Sequence, residues 1–314
     1  MGRQRKRKGD PVHGWLAVDK PVNVTSTQVV GILKRLFNAQ KAGHGGTLDP
    51  LADGILPIAF GEATKTAQWA MDCDKEYVFT IEWGTSTASQ DKEGEIIATS
   101  DRRPTRAEIT AALPDFVGDI QQVPPKFSAI KVGGERAYDL ARDGENFEIP
   151  SREVTVYEAE ISNIPDPDHV TLRVVSGKGF YVRAMARDLA QALGAEGHVS
   201  RLRRTRVGAL DETVAMPLNQ IEELADQKEQ LVGALRPIET VLDDVPVIEL
   251  DLTDAAALKQ GREIVLLPHQ VEQWQSDTDS DPENRLALTR TGGNAVALGE
   301  VRAGRFQPKK VFQL

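Results

Sequence analysis

The chain has 314 residues, 40% hydrophobic and 27% charged, which suffices for one large domain and a small one. No apolar run approaches the ~18 residues of a membrane span, and no apolar stretch follows the basic start to make a secretory signal. A lone cysteine, Cys73, excludes an intrachain disulfide framework and fits a reducing compartment, so the cytoplasm is the expected placement.

The net charge of −9 speaks against a nucleic-acid partner only as a sum. Sixteen acidic and five basic residues fall within 221–285, so the rest of the chain is slightly basic. Basic runs stand at Arg3–Lys8 and Lys178–Arg206, and a local patch of that kind can neutralise phosphates on an acidic protein.

In chain order, residues 1–10 read as a disordered basic arm and Gly14–Lys20 as a short strand. Thr25, Ser26 or Thr27 can cap a helix whose apolar stripe is Val29/Val30, Leu33 and Leu36/Phe37. A Gly-rich loop, Ala42–Gly46, leads to Thr47-Leu48-Asp49-Pro50. Ile55–Phe60 reads as a buried strand, Glu62–Met71 as a helix, and Glu76–Trp83 alternates as a strand does. Pro104 opens a helix through Leu113, Gln121–Gly134 is a Pro/Gly-rich loop, and Glu135–Arg142 a short helix. Glu153–Asn163 and Val170–Ser176 are strands separated by the turn signal Pro165–Asp168. Tyr181–Leu193 carries Val182, Met185/Ala186, Leu189 and Leu193 on one helical face, with Arg183 and Arg187 four apart beside it. Strands and helices mix without βαβ alternation, which indicates an α+β fold. A boundary near residue 245 follows from Asp243-Asp244 and Pro246. Beyond it, Arg285–Leu288, Ala295–Leu298 and Lys310–Phe312 read as short strands, and Ser276–Asn284 as an exposed mobile loop.

The stretch Gly43–Gly54 is where the chemistry concentrates. Glycines permit tight turns and close approach to a ligand, and Pro50 restricts Asp49 toward an extended backbone. A rigidly held Asp near His44 can serve as nucleophile or general base, and a plain Asp-Pro turn has the same sequence. The five histidines and Cys73 show no metal-ligand spacing.

This stretch resembles the catalytic loop of the bacterial tRNA pseudouridine-55 synthases, the TruB family, G-H-x-G-T-L-D-P-L-A-x-G-[IV]-L-P. Further motifs follow in that family's order. Asp19-Lys20-Pro21 with Thr25-Ser26, Lys75-Glu76-Tyr77, Gln122–Pro125 with Phe127–Ala129, Arg136–Tyr138 with Ala141–Gly144, Gly179–Arg183 and Leu202–Thr205 all agree, across about residues 12–220. Asn23 stands where the family commonly has Gly, though Asn tolerates positive φ better than most residues. Gly45 and Asp53 occupy variable positions of the loop motif.

The resemblance implies a catalytic domain over 11–245 with a mixed, mainly antiparallel sheet and flanking helices. It also implies a small β-rich, PUA-like domain over 246–314. Asp49 would be the essential carboxylate, oriented by Arg183, and Tyr77 would stack on the uracil and take the C5 proton. Tyr181 and Leu202 would line the pocket, His44 would help hold the T loop, and Lys20 would buttress the site or contact phosphate. An RNA-gripping insertion over about 124–151 would bring Lys126, Lys131 and Arg136 to phosphates. The implied reaction needs neither cofactor nor metal. The implied partner is the T arm of tRNA, bound by a monomer with no obligate protein partner. A guide-RNA-dependent synthase and a tRNA-binding folding chaperone are the alternative readings.

Overall fold

A computed structural model of the protein describes residues 9–128, 130–145, 147–278 and 285–314, apart from the side chains of residues 136 and 278. Its framework is a 10-stranded mixed sheet. From one edge the strands run Met216–Pro217, Gly14–Lys20, Asp53–Phe60, Gly197–Val207, Lys75–Trp83, His169–Ser176, Arg152–Asp166 and Gly118–Gln122. Ala42–His44 and Leu210–Asp211 pair off this path. Met216–Pro217 joins Gly14–Lys20 in parallel, as Gly197–Val207 joins Asp53–Phe60; the other pairings are antiparallel.

Local chemistry explains the elements that carry the site. Thr25 caps helix Ser26–Leu36 in a reciprocal box with Gln28, and Val29, Leu33 and Phe37 point into the core. Asn23 adopts φ 64°, the left-handed conformation that Asn tolerates best among side-chain-bearing residues. Helix Val182–Ala192 buries Val182, Met185, Ala186 and Leu189 against the sheet. The same core holds Leu16, Val18, Phe79 and Ile81.

The opposite side of the sheet is covered as well. Trp15, Ala17, Ile55 and Ala59 pack with Leu288, Leu298 and Phe312 in a second core. A 5-stranded sheet, ordered Val247–Glu249, Leu286–Thr291, Asn294–Arg302, Arg305–Val311 and Ile264–Val265, supplies Leu288 and Leu298, and Phe312 follows directly on its strand Arg305–Val311. None of the helices among the described residues is long and apolar enough to cross a membrane.

Several local expectations change. Lys131–Val132 and Glu135–Arg136 form a small hairpin, so the helix there is Ala137–Arg142. The Gly-Gly turn at Gly133-Gly134, both at positive φ, permits that hairpin. The basic run Lys178–Arg206 is divided between helix Val182–Ala192 and the long strand Gly197–Val207. Besides its strands, the C-terminal region contains helices Leu252–Lys259 and Pro268–Thr278; Ser276–Thr278 is the last turn of the second, where a loop was expected. Residues 279–284 of that loop and residues 1–8 of the arm lie outside the described residues. Asp10, at the arm's end, exchanges backbone hydrogen bonds with Asn38 and Gln40.

Candidate active site

Asp49 sits on a loop tied down on both sides. Before it, the Ser26 hydroxyl accepts from the Leu48 amide at 2.9 Å and lies 3.0 Å from the Leu48 carbonyl. After it, the Pro50 carbonyl accepts from the Asn23 amide at 2.7 Å and from Lys20 Nζ at 3.5 Å. Lys20 also donates to the carbonyls of Pro21 and Val24, each at 2.9 Å. Its side chain is fully buried, and burial lowers its pKa to about 8 against the opposing pull of Asp53 and Asp49. Of the two roles open to Lys20, its place behind the loop fits the buttress and not a phosphate contact.

Two glycines of the loop are dictated by space. Gly54 has φ 102°, and a Cβ there would lie 2.2 Å from the Arg204 carbonyl. A Cβ on Gly45 would meet the Ala70 methyl at 2.5 Å and the Trp15 ring at 3.1 Å. Gly45, which motif comparison treats as variable, is therefore fixed here by its packing neighbours.

Across the pocket from the loop, Arg183 enters from the first turn of helix Val182–Ala192. Its Nη2 lies 2.8 Å from Asp49 Oδ2 and donates to the Phe127 carbonyl at 3.0 Å. Its Nη1 donates to the Ser89 carbonyl at 3.0 Å and to Asp91 Oδ2 at 3.3 Å. The Arg183 and Asp91 side chains are 7% and 3% exposed, whereas Asp49 is 34% exposed. One guanidinium thus joins a buried carboxylate to one that faces the pocket. The start of the helix is set by Gln122, itself buried. The Gln122 side chain accepts from the Tyr181 amide at 2.8 Å and donates to the Tyr181 carbonyl at 3.1 Å.

The pocket between these elements has a volume of about 100 Å³. Tyr77, Phe180, Tyr181, Leu202 and Arg204 complete its wall with Thr47, Leu48, Asp49 and Arg183. Strand register brings Tyr77 opposite Arg204, and Leu202 opposite Phe79. Tyr77 stands 6.2 Å from Phe180, ring centre to ring centre. Burial raises the pKa of its phenol, and the adjacent Arg204 partly offsets that rise. Burial likewise raises that of Tyr181. The wall therefore combines aromatic and aliphatic surfaces, suited to a planar ring, with one carboxylate aimed inward.

The structure brings Asp49, Tyr77, Arg183, Tyr181 and Leu202 together and leaves the other candidates outside the pocket. His44 closes the strand Ala42–His44, and its Nδ1 is buried without a hydrogen-bond partner. Its pKa is lowered by burial first and by Arg204 second. Lys126 and Lys131 are exposed on the segment after Val123, with Lys126 Nζ 6.0 Å from the Phe147 ring centre. Arg136 pairs through its backbone with Lys131; its side chain lies outside the described residues. A larger cavity of about 740 Å³ opens beneath this segment, lined among others by Gln90, Phe127 and Arg187. It shares no lining residue with the Asp49 pocket. No cluster among the described residues has the makings of a metal site.

Three participants carry no assignment in the sequence reading. Asp91 sits in a polar loop, where an acid reads as solvated. Gln122 belongs to a quoted motif, yet its capping role needs the tertiary fold. Arg204 follows Arg203 on a strand, and alternation sends the two to opposite faces. Arg203 meets Asp19, Asp53 and Glu212. Arg204 turns into the core at 2% exposure.

Residues 34–182 match the TruB family pseudouridylate synthase (N terminal domain), and residues 183–243 the tRNA pseudouridylate synthase B C-terminal domain. A tRNA pseudouridine synthase B of Caulobacter vibrioides is 55% identical, covering 99% of this chain and 99% of its own. Its counterpart in Bradyrhizobium diazoefficiens is 47% identical, covering 100% of this chain and 89% of its own. A solved Cbf5-Nop10-Gar1 complex superposes with a TM-score of 0.71 at 25% identity, over 96% of this chain and 85% of that one. An H/ACA RNP bound to a substrate RNA containing 2'-deoxyuridine gives 0.70 at 23% identity, over 99% and 92%, a likeness of fold alone. The fold is that of the pseudouridine synthases, with a β-rich C-terminal domain. The chain belongs to the TruB family of pseudouridylate synthases.

Proposed function

We propose that the protein converts uridine 55 in the T loop of tRNA to pseudouridine, acting as a monomer without guide RNA or cofactor. The observation that carries this reading is the Asp49–Arg183 pair at 2.8 Å, set in a small pocket beside Tyr77. Pseudouridine formation breaks the N1–C1′ bond, turns the uracil and rejoins it through C5. The base is both leaving group and returning nucleophile, so the chemistry calls on the chain for a carboxylate, a ring-shaped enclosure and a proton acceptor.

In this reading Asp49 acts on the sugar, and covalent attack at C1′ and removal of a ribose proton draw on the same carboxylate. Arg183 aims it through a charge-assisted bond and is itself held by Asp91 and two carbonyls. Tyr77 stacks on the base and takes the C5 proton, while Tyr181 and Leu202 bound the space in which the base turns. A uridine stacked in a folded loop reaches such a pocket only by flipping out. That costs a few kcal/mol, which contacts to the rest of the RNA offset. Lys126, Lys131 and Arg136 supply such contacts from the insertion at about 124–151, and His44 from the rim. Residues 11–245 act as the catalytic unit, and residues 246–314 as a PUA-like module that makes a narrow contact with RNA.

The relatives named tRNA pseudouridine synthase B support the substrate, and the hairpin Lys131–Arg136 supports direct recognition over guidance. The test is incubation with an unmodified tRNA transcript and no other macromolecule, followed by carbodiimide treatment and primer extension. One new stop, at position 55, is expected. A stop that appears only with added guide RNA, or none at all on a bound transcript, would overturn the proposal in favour of a guided enzyme or a folding chaperone.

A further inference from the structure

Arg204 is an unusual charge for this site. Its side chain lies in the floor of the pocket at 2% exposure, and no carboxylate among the described residues forms an ion pair with it. Three carbonyls hold it instead. Nε donates to Ile55 at 2.8 Å, Nη1 to Thr47 at 3.2 Å and Nη2 to Gly46 at 3.2 Å. The two Nη atoms each spend one donor on the loop that carries Asp49 and keep another N–H, while Nε is spent on the strand that follows the loop. On the neighbouring strand the directly opposed residue is Tyr77, and the two side chains line the same small pocket. Carbonyls satisfy the donors but do not neutralise the charge. A buried cation with no carboxylate in contact, only the longer-range pull of Asp49 across the pocket, is costly, and that cost falls when an anion forms beside it.

We propose that Arg204 is a positioning residue that aims the Tyr77 hydroxyl and carries the negative charge arising on it during the final proton transfer. This rests on the proposed activity and deepens it by one residue. After C5 has rejoined C1′, the base holds a hydrogen on C5 and a C6=N1 double bond. The phenol passes its proton to N1 through solvent, leaving tyrosinate beside Arg204 and an iminium in the ring. The C5 proton then moves to the phenolate oxygen. The C5–H electron pair becomes the C5=C6 double bond, and the C6=N1 π pair returns to N1. Tyr77 ends neutral and the product is pseudouridine. Of the charged groups, Arg204 and Asp49 face Tyr77; Val174 stands opposite it on the other neighbouring strand, and Phe180 packs alongside. Arg183 is engaged by two carboxylates, which leaves Arg204 as the cation available to the phenolate. The raised pKa of the phenol fits a group that needs such help to ionise.

The experiment compares wild type, Arg204→Gln and Arg204→Lys in single-turnover conversion of tRNA transcripts carrying hydrogen or deuterium at uridine C5, across pH. Arg204→Gln is expected to slow conversion by roughly a hundredfold, the scale of one general acid–base contribution. Its deficit should shrink as pH rises, because alkali supplies the tyrosinate that Arg204 otherwise supports. Its C5 isotope effect should exceed that of wild type, and Arg204→Lys should fall between the two. A deficit equal at every pH, with an unchanged isotope effect, would reduce Arg204 to a clamp on the loop and overturn the proposal. Should Arg204→Gln fail to fold, Arg204→Lys decides by the same isotope criterion. Failure of the activity itself is distinguishable, because wild type would then yield no pseudouridine at all.

Discussion

Arg183 answers to two carboxylates and two carbonyls, and removing it strands Asp91 in a setting where that side chain is 3% exposed. Breaking a buried ion pair from one side costs about 3–5 kcal/mol; Asp91 would keep the Ser89 hydroxyl and the Glu93 amide as donors to Oδ1 but lose its counter-ion without regaining water. Arg183→Met should therefore lower the urea midpoint of unfolding by an amount of that size, as well as abolish activity. A variant as stable as wild type would show that Asp91 draws its support elsewhere. This residue was readable only in part from the sequence. Its pairing with Asp49 follows from the family motif, but its second carboxylate comes from a loop some ninety residues upstream, where Ser89-Gln90-Asp91 looks like any solvated turn. Tyr77 was legible for the same reason as Arg183, through a motif, whereas Arg204 lay in plain view within Leu202–Thr205 without a role.

At the scale of elements, the segment after Val123 is where RNA affinity is expected to reside. Lys126 and Lys131 are exposed and take no part in the lining of the Asp49 pocket, so their removal should weaken binding and leave turnover of bound RNA intact. Deleting one cation that neutralises a phosphate reduces the slope of log affinity against log salt by about 1. Lys131→Ala, measured by filter binding over a salt series, should show that reduction; an unchanged slope would place the phosphate-binding cations on another element. The sequence marks this segment as Pro- and Gly-rich and charged, but reads Glu135–Arg142 as one helix. The Gly133-Gly134 turn claims Glu135 and Arg136 for a hairpin instead. Helix and strand periodicity succeeded where one face is buried, as in Ser26–Leu36 and Lys75–Trp83. It failed in the C-terminal helices. The apolar residues of Leu252–Lys259 are spread around the axis, and Leu252 is 81% exposed while Leu258 is buried.

For the whole molecule, the consequential feature is the second core, which fastens the C-terminal sheet to the back of the catalytic sheet. Trp15 contributes its ring to that core from the first strand, fixed in place by indole bonds to the Ile238 carbonyl at 3.2 Å and the Thr66 hydroxyl at 3.3 Å. Phe312 closes it from the other end of the chain and is fully buried. Phe312→Ala should cost about 3–5 kcal/mol, as truncating a buried aromatic does, and should lower the thermal midpoint measured by calorimetry. A midpoint unchanged from wild type would mean that the two sheets hold together without this side chain. Such long-range packing could not be read from the sequence, because Trp15 and Phe312 each look like an ordinary strand residue until the topology brings them together.

The claim on which the rest depends is that the protein isomerises uridine in tRNA with Asp49 as the acting carboxylate. Tritium release from a transcript labelled at uridine C5 tests it most directly, with wild type set against Asp49→Asn. One equivalent per tRNA is expected to be released by wild type and none by the variant, although the variant still binds. Release by Asp49→Asn at the wild-type rate would contradict the assignment of the carboxylate, and a wild-type protein that binds the transcript and releases nothing would contradict the activity itself.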